Sequence, residues 1–170
     1  MRSKGPGDGG PPLSRPEDGP SARGGGAAHA DASRSSPDVR FRVLVVDDDP
    51  AVVESMQAVL WDDVDVTTAH SGGRAMELIE TSNFHVVCSD YLMPGMNGAE
   101  LLRRASALPQ PVGCLMITGA DEYFQAKTGS RYYVLLKPVD PERLLNMVMH
   151  LGRMIEMKRS VERLSSGIRR

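Results

Sequence analysis

The stretch "RVLVVDDDP", residues 42–50, runs four apolar residues straight into three consecutive carboxylates and a proline. A short β-branched run of this kind is a buried strand, and its abrupt end in like charges asks for a reason. Two carboxylates ~4 Å apart repel by ~4 kcal/mol at an effective dielectric of ~20. Such an arrangement calls for a counter-ion, a proton or ample water. Asp49 before Pro50 suits the start of a helix, with the aspartate as cap and the proline in the first turn. One aspartate meets that need, and Asp47 and Asp48 are left over.

Outward from this stretch, apolar runs recur at residues 41–46, 64–68, 84–89, 112–117 and 132–136. Helix-period segments lie between them at 50–61, 72–81 and 97–107, with a weak one near 121–127. A last helix is expected after "KPVDPE". Strands alternating with helices, most of them apolar on both faces, predict an α/β fold. Its core is a doubly wound five-stranded parallel sheet covered by helices on both faces. "LMPGMNG" reads as a tight turn feeding a helix at Asn97, its glycines supplying backbone freedom.

Composition agrees with a folded middle and different ends. The chain has 170 residues, 41% hydrophobic and 25% charged, with a net charge of -2. Residues 39–141 hold eight basic and fourteen acidic side chains, whereas 142–170 hold seven basic and three acidic. An acidic middle suits a cation-binding domain and argues against a nucleic-acid binder. Residues 1–38 contain eight glycines and six prolines and are expected to be disordered. The folded domain is expected over 39–155, with a helical extension over 156–170. Cys88 and Cys114 sit in apolar runs and read as core thiols. His70 and His85 read as structural residues on surface segments. No stretch reaches the ~20 apolar residues of a membrane span, and the N-terminus lacks a signal-peptide core. A cytoplasmic protein is expected.

In parallel sheets ligands bind beyond the carboxyl ends of the strands. Those ends collect Asp47, Asp48 and Asp49 on the first strand, Asp90 on the third, Thr118 on the fourth and Lys137 on the fifth. Carboxylates with room for water suit Mg²⁺. A lysine and a hydroxyl beside them suit phosphoryl oxygens, and a carboxylate can itself act as nucleophile.

The motifs "VLVVDDDP", "VVCSDYLMPGMNGAELL", "LMITGAD" and "VLLKPVD" occur together and in order. Over residues 40–155 the chain resembles the receiver domain of bacterial two-component response regulators, stand-alone and CheY-like, with a flavodoxin-like fold. The resemblance implies that Asp90 accepts a phosphoryl group from a histidine kinase or histidine phosphotransfer protein. It implies that Asp47 and Asp48 hold Mg²⁺, Asp48 directly and Asp47 through water, and that Asp90 and the backbone carbonyl of Leu92 complete the metal site. Thr118 would hydrogen-bond the phosphoryl group, Lys137 would pair with its oxygens, and the Lys137–Pro138 bond would be cis. Such a protein catalyses its own phosphotransfer and dephosphorylation and turns over no metabolite. A phosphorylation-independent scaffold and an aspartyl-phosphate phosphatase are the alternatives. The phosphatase would carry a second aspartate where this chain has Leu92.

Two departures stand out. Receivers usually place an aromatic three residues before the lysine, where this chain has Val134. Tyr133 should face the other way, whereas Tyr132 shares the face of Val134. The connection from Thr118 to Lys137 is also short. At the C-terminal end, Leu144, Val148, Leu151 and Ile155 should pack on the sheet. Met157, Val161, Leu164 and Ile168 then form a second seam spaced four, three, four. That seam is a solvated stub, a short coiled coil joining two copies or a partner helix, or, against the lack of any helix-turn-helix pattern, a basic DNA-binding helix.

Overall fold

The computed structural model describes residues 40–119 and 131–167. The tail expected to be disordered over 1–38, the weak helix near 121–127 and Ile168 lie outside them.

Five strands form one parallel sheet: β1 (Arg42–Val46), β2 (Asp65–Ala69), β3 (Val86–Asp90), β4 (Gly113–Thr118) and β5 (Tyr133–Leu136), in the order β2-β1-β3-β4-β5. The described helices are α1 (Pro50–Leu60), α2 (Gly72–Thr81), α3 (Gly98–Ser106) and α4 (Pro141–Gly167). Each expected strand is present within one or two residues.

Period two sorts the core. Val43 and Val45 of β1, with Val86, Cys88, Leu115 and Ile117, face α1 and α4, where Met56, Leu60, Leu144, Val148 and Leu151 meet them. Leu44 and Val46, with Val87, Cys114 and Met116, face α2 and α3, where Ala75, Ile79, Leu101, Leu102 and Ala105 meet them. Both cysteines are free and buried, and burial pushes each thiol up to about 12, so they behave as core side chains.

Helix starts follow local chemistry. Asp49 Oδ1 accepts the Ala51 N–H at 2.9 Å with Pro50 opening α1, as the sequence predicts. Ser71 Oγ and Asn97 Oδ1 cap α2 and α3 in the same manner. The last helix begins at Pro141, two residues earlier than expected. Asp140 Oδ1 accepts the Arg143 N–H at 2.8 Å, so "DP" is a cap and a first turn here as well.

The expectation for His85 is corrected. It is not on a surface segment but buried under α4. Its Nδ1 accepts the Arg42 N–H at 2.9 Å and its Nε2 lies 3.4 Å from Glu156. Arg159, also buried, donates to the carbonyls of Phe84 at 2.5 Å and Pro111 at 2.8 Å, at the entrances to β3 and β4. These contacts hold α4 against the sheet past Ile155. The helix is therefore uninterrupted where a domain and an extension were expected to meet.

Burial, then the charge of Arg159, holds the His85 pKa below its ordinary 6.5, against the pull of Glu156. A depressed folded-state pKa means that stability is full above pH 6.5 and is lost as pH falls through the lower folded value. Protonation would also cost Nδ1 its bond from Arg42. Between pH 7 and pH 5 the melting temperature should therefore fall further in the wild type than in His85→Asn, whose amide oxygen still accepts that N–H. Parallel curves from thermal melts would rule out His85 as the titrating group.

Candidate functional site

Strand register builds the site. Val46 pairs with Ser89, which brings Asp47 level with Asp90 one step on. Asp90 pairs with Ile117, and Thr118 with Leu136, so Thr118 and Lys137 arrive at the same edge. The edge is the switch point, where the chain runs from β1 outward to β2 and back to β3. Past β3, the chain turns through Gly95, which has a φ of 78°, and re-enters a helix at Gly98. The Gly98 N–H donates to Tyr91 O at 3.0 Å, so α3 starts directly against the end of β3.

Lys137 joins the two carboxylates that reach inward. Its Nζ lies 2.5 Å from Asp90 Oδ1 and 3.3 Å from Asp47 Oδ2. Asp47 and Asp90 are buried, whereas Asp48 is exposed beside them. The second oxygen of Asp47 accepts the Asp49 N–H at 2.9 Å. Thr118 is buried as well, and its Oγ1 has no hydrogen-bond partner among the described residues. A buried hydroxyl left unpaired costs about 1–3 kcal/mol, so one aimed at a site favours a ligand that would satisfy it.

The electrostatics are those of an acidic edge short of positive charge. Burial raises the Asp47 pKa most; the Asp49 N–H and Lys137 pull it down, and the neighbouring Asp90 charge pushes it up. The net direction is upward. For Lys137 burial works downward, yet the hydrogen bond to Asp90 and the charges of Asp90 and Asp47 prevail, and its pKa is raised. The lysine stays cationic, and a further cation would make Asp47 easier to ionise.

Among the described residues no three His, Cys, Asp or Glu side chains form a ready cage for a metal. Mg²⁺ does not require one, since it binds through one or two carboxylates and keeps several waters. Asp47 and Asp48 on one turn, with Asp90 opposite, fit that requirement. Leu92, two residues past Asp90, turns its side chain into solvent.

A family profile, the response regulator receiver domain, matches residues 43–149. The chain belongs to this family. It is 36% identical over 113 residues to an uncharacterised 14.6 kDa protein of Leptolyngbya boryana, covering 62% of this chain and 86% of that protein. It is 32% identical over 114 residues to protein PilH of Pseudomonas aeruginosa, covering 63% and 93%. Against the transcriptional regulatory protein YesN of Bacillus subtilis it is 29% identical over 126 residues, 70% of this chain, and spans only 34% of that longer protein. Among solved structures, a CheY-like receiver domain protein of Methanospirillum hungatei superposes with a TM-score of 0.61 at 30% identity, covering 70% and 98%.

Within the receiver, the two departures are placed differently. Val134 is half-buried and packs with Tyr132 against the α2 and α3 side of the core, while Tyr133 points the other way and is exposed. The alternation expected along β5 is therefore observed. Most of the short connection before it lies outside the described residues. His70 is exposed, at the end of β2. Among the described residues no helix is long and apolar enough to cross a membrane.

Sequence reading found the catalytic candidates because each ends an apolar run. It missed Gly98, since glycines abound in turns and the sequence does not mark the one that touches Asp90. It also missed Arg159, whose position in a basic helix looks like any solvated arginine.

Proposed function

We propose that this receiver accepts a phosphoryl group on Asp90 from a histidine kinase or histidine phosphotransfer protein, with Mg²⁺ required, and signals through altered partner binding. The observation that carries this reading is Lys137 Nζ between Asp90 and Asp47, at the same sheet edge as the buried Thr118 Oγ1, which has no hydrogen-bond partner among the described residues.

An Asp90 carboxylate oxygen attacks phosphorus as the phosphorus–nitrogen bond of the phosphohistidine breaks, and the imidazole leaves with the bonding pair. Bound Mg²⁺ would supply positive charge against the phosphoryl oxygens, with Asp47, Asp48, Asp90 and the Leu92 carbonyl as its ligands. Lys137 is close enough to follow the new phosphoryl group and pair with one of its oxygens. Thr118 Oγ1 would donate to another, gaining a hydrogen bond that no described residue supplies. A donor in the histidine kinase pathway places this chemistry in the cytoplasm.

An open apolar groove of about 420 Å³ between α1 and the start of α4, with Lys137 and Pro138 at its edge, offers a protein donor a landing surface. Val134, smaller than the usual aromatic, favours a second reading in which the fold serves as a scaffold without phosphorylation.

Incubation with a small phosphodonor should add one phosphoryl mass in Mg²⁺ and none in excess chelator. No gain with any donor would leave the scaffold. Continuous turnover of a generic phosphate ester would mean a phosphatase, which Leu92 in place of a second aspartate argues against.

A further inference from the structure

The α4 helix has two apolar stripes. Leu144, Val148, Leu151 and Ile155 face the sheet and are buried. Met154, Met157, Val161 and Leu164 face outward, 40%, 70%, 57% and 70% exposed. Their spacing is three, four, three, which at 100° per residue confines them to an arc of roughly 80°, centred about 130° round the helix from the packed side. A stripe this narrow is the seam of a helix pair; a core-facing or membrane-lying helix shows a broader one, and none of the four side chains is aromatic.

The positions that flank such a seam choose its partner. Here they are Arg153 and Lys158, both exposed, with Ser160 and Ser165. The acidic residues of this region turn elsewhere. Glu156 is engaged with Arg163 at 2.8 Å and with His85. Glu162 lies on the side of the helix that faces the sheet and lines a cleft with Pro109 and Arg159. Two copies paired in parallel would set Arg153 of one protomer against Lys158 of its partner. Paired antiparallel over the same four residues, the Lys158 side chains of the two protomers would meet near the two-fold axis. Both arrangements bring like charges together along the described part of the seam, about 15 Å at ~1.5 Å per residue, which opposes pairing of two copies.

We propose that the outward face of α4 docks a helix of a partner protein whose apolar seam is rimmed by acidic side chains. The face is presented ready-made. Arg159 holds the helix to the Phe84 and Pro111 carbonyls, and α4 continues unbroken to Gly167 with every described side chain from Val161 to Ser166 exposed. Pre-ordering of this kind reduces the entropy lost on docking.

The probes are three synthetic peptides of three heptads, read by fluorescence anisotropy against the full chain. One has Leu at the seam and Glu at the flanks, one has Lys at the flanks, and one keeps the acidic composition with the heptad scrambled. The acidic heptad should bind at least ten-fold more tightly than the other two. Val161→Asp, at a fully exposed turn, should weaken it at least ten-fold without changing the melting temperature. Joint Arg153→Glu and Lys158→Glu changes should reverse the preference in favour of the Lys peptide. Equal binding of the scrambled peptide would reduce the effect to charge alone and overturn the proposal. So would no binding, a dimer in sedimentation that Val161→Asp dissolves, or capture by phosphatidylserine vesicles with no affinity for the acidic heptad.

Discussion

Asp90→Asn should abolish the phosphoryl adduct outright, with intact mass unchanged after incubation under conditions that fully load the wild type. The substitution is nearly isosteric, so β3 and its pairing with Ile117 are retained. What is lost is the nucleophilic oxygen, because an amide oxygen does not form the acyl phosphate. The same change removes one of the two carboxylates that Lys137 bridges, leaving Asp47 at 3.3 Å as its partner. It also removes the Asp90 charge that contributes to raising the Asp47 pKa. The melting temperature should therefore hold or rise while the chemistry disappears, since a buried like-charge contact is relieved. A fold that melts well below the wild type would show that the Asp90–Lys137 pair is structural before it is catalytic. An adduct that persists would place the acceptor elsewhere.

Gly98→Ala should be the most damaging single methyl in the described part of the chain. A Cβ at this position would lie 1.9 Å from the carbonyl oxygen of Asp90 and 2.9 Å from both its carbonyl carbon and Ser89 Oγ. The obstacle is backbone in a central strand, which cannot turn aside as a side chain could. Relief requires α3 to back away, and α3 carries Leu101, Leu102 and Ala105, all fully buried. Overpacking of this kind costs about 3 kcal/mol, which in a domain of this size lowers the melting temperature by about 10 °C. Because the clash is with Asp90 itself, phosphoryl loading should fall with stability. Gly73→Ala is the control. A Cβ there meets nothing within 4 Å, and its place in a helix favours alanine by up to ~1 kcal/mol. A Gly98 variant as stable as the Gly73 variant would mean that the β3–α3 turn is looser than its contacts indicate.

The sequence by itself determined the order of strands and helices and the edge on which the chemistry gathers. Apolar runs a few residues long, each closing on Asp, Thr or Lys, are local facts, and a parallel sheet aligns such ends whatever the details. It also determined the Asp49 cap, because "DP" acts through its own neighbouring N–H groups. Tertiary structure alone decided which of the consecutive aspartates turns inward. Asp47, just past the end of β1, is buried beside Lys137, whereas Asp48, one residue further on, is exposed. The consecutive aspartates are alike in sequence, and only the lysine that β5 brings over tells them apart. The bridging of Asp47 and Asp90 by Lys137 joins residues 90 and 47 positions apart along the chain. The burial of His85 and the anchoring of Arg159 depend on where α4 crosses the strand entrances. Charged and polar residues read as solvated until a neighbour removes the water, and that neighbour is a matter of packing, which no local pattern records.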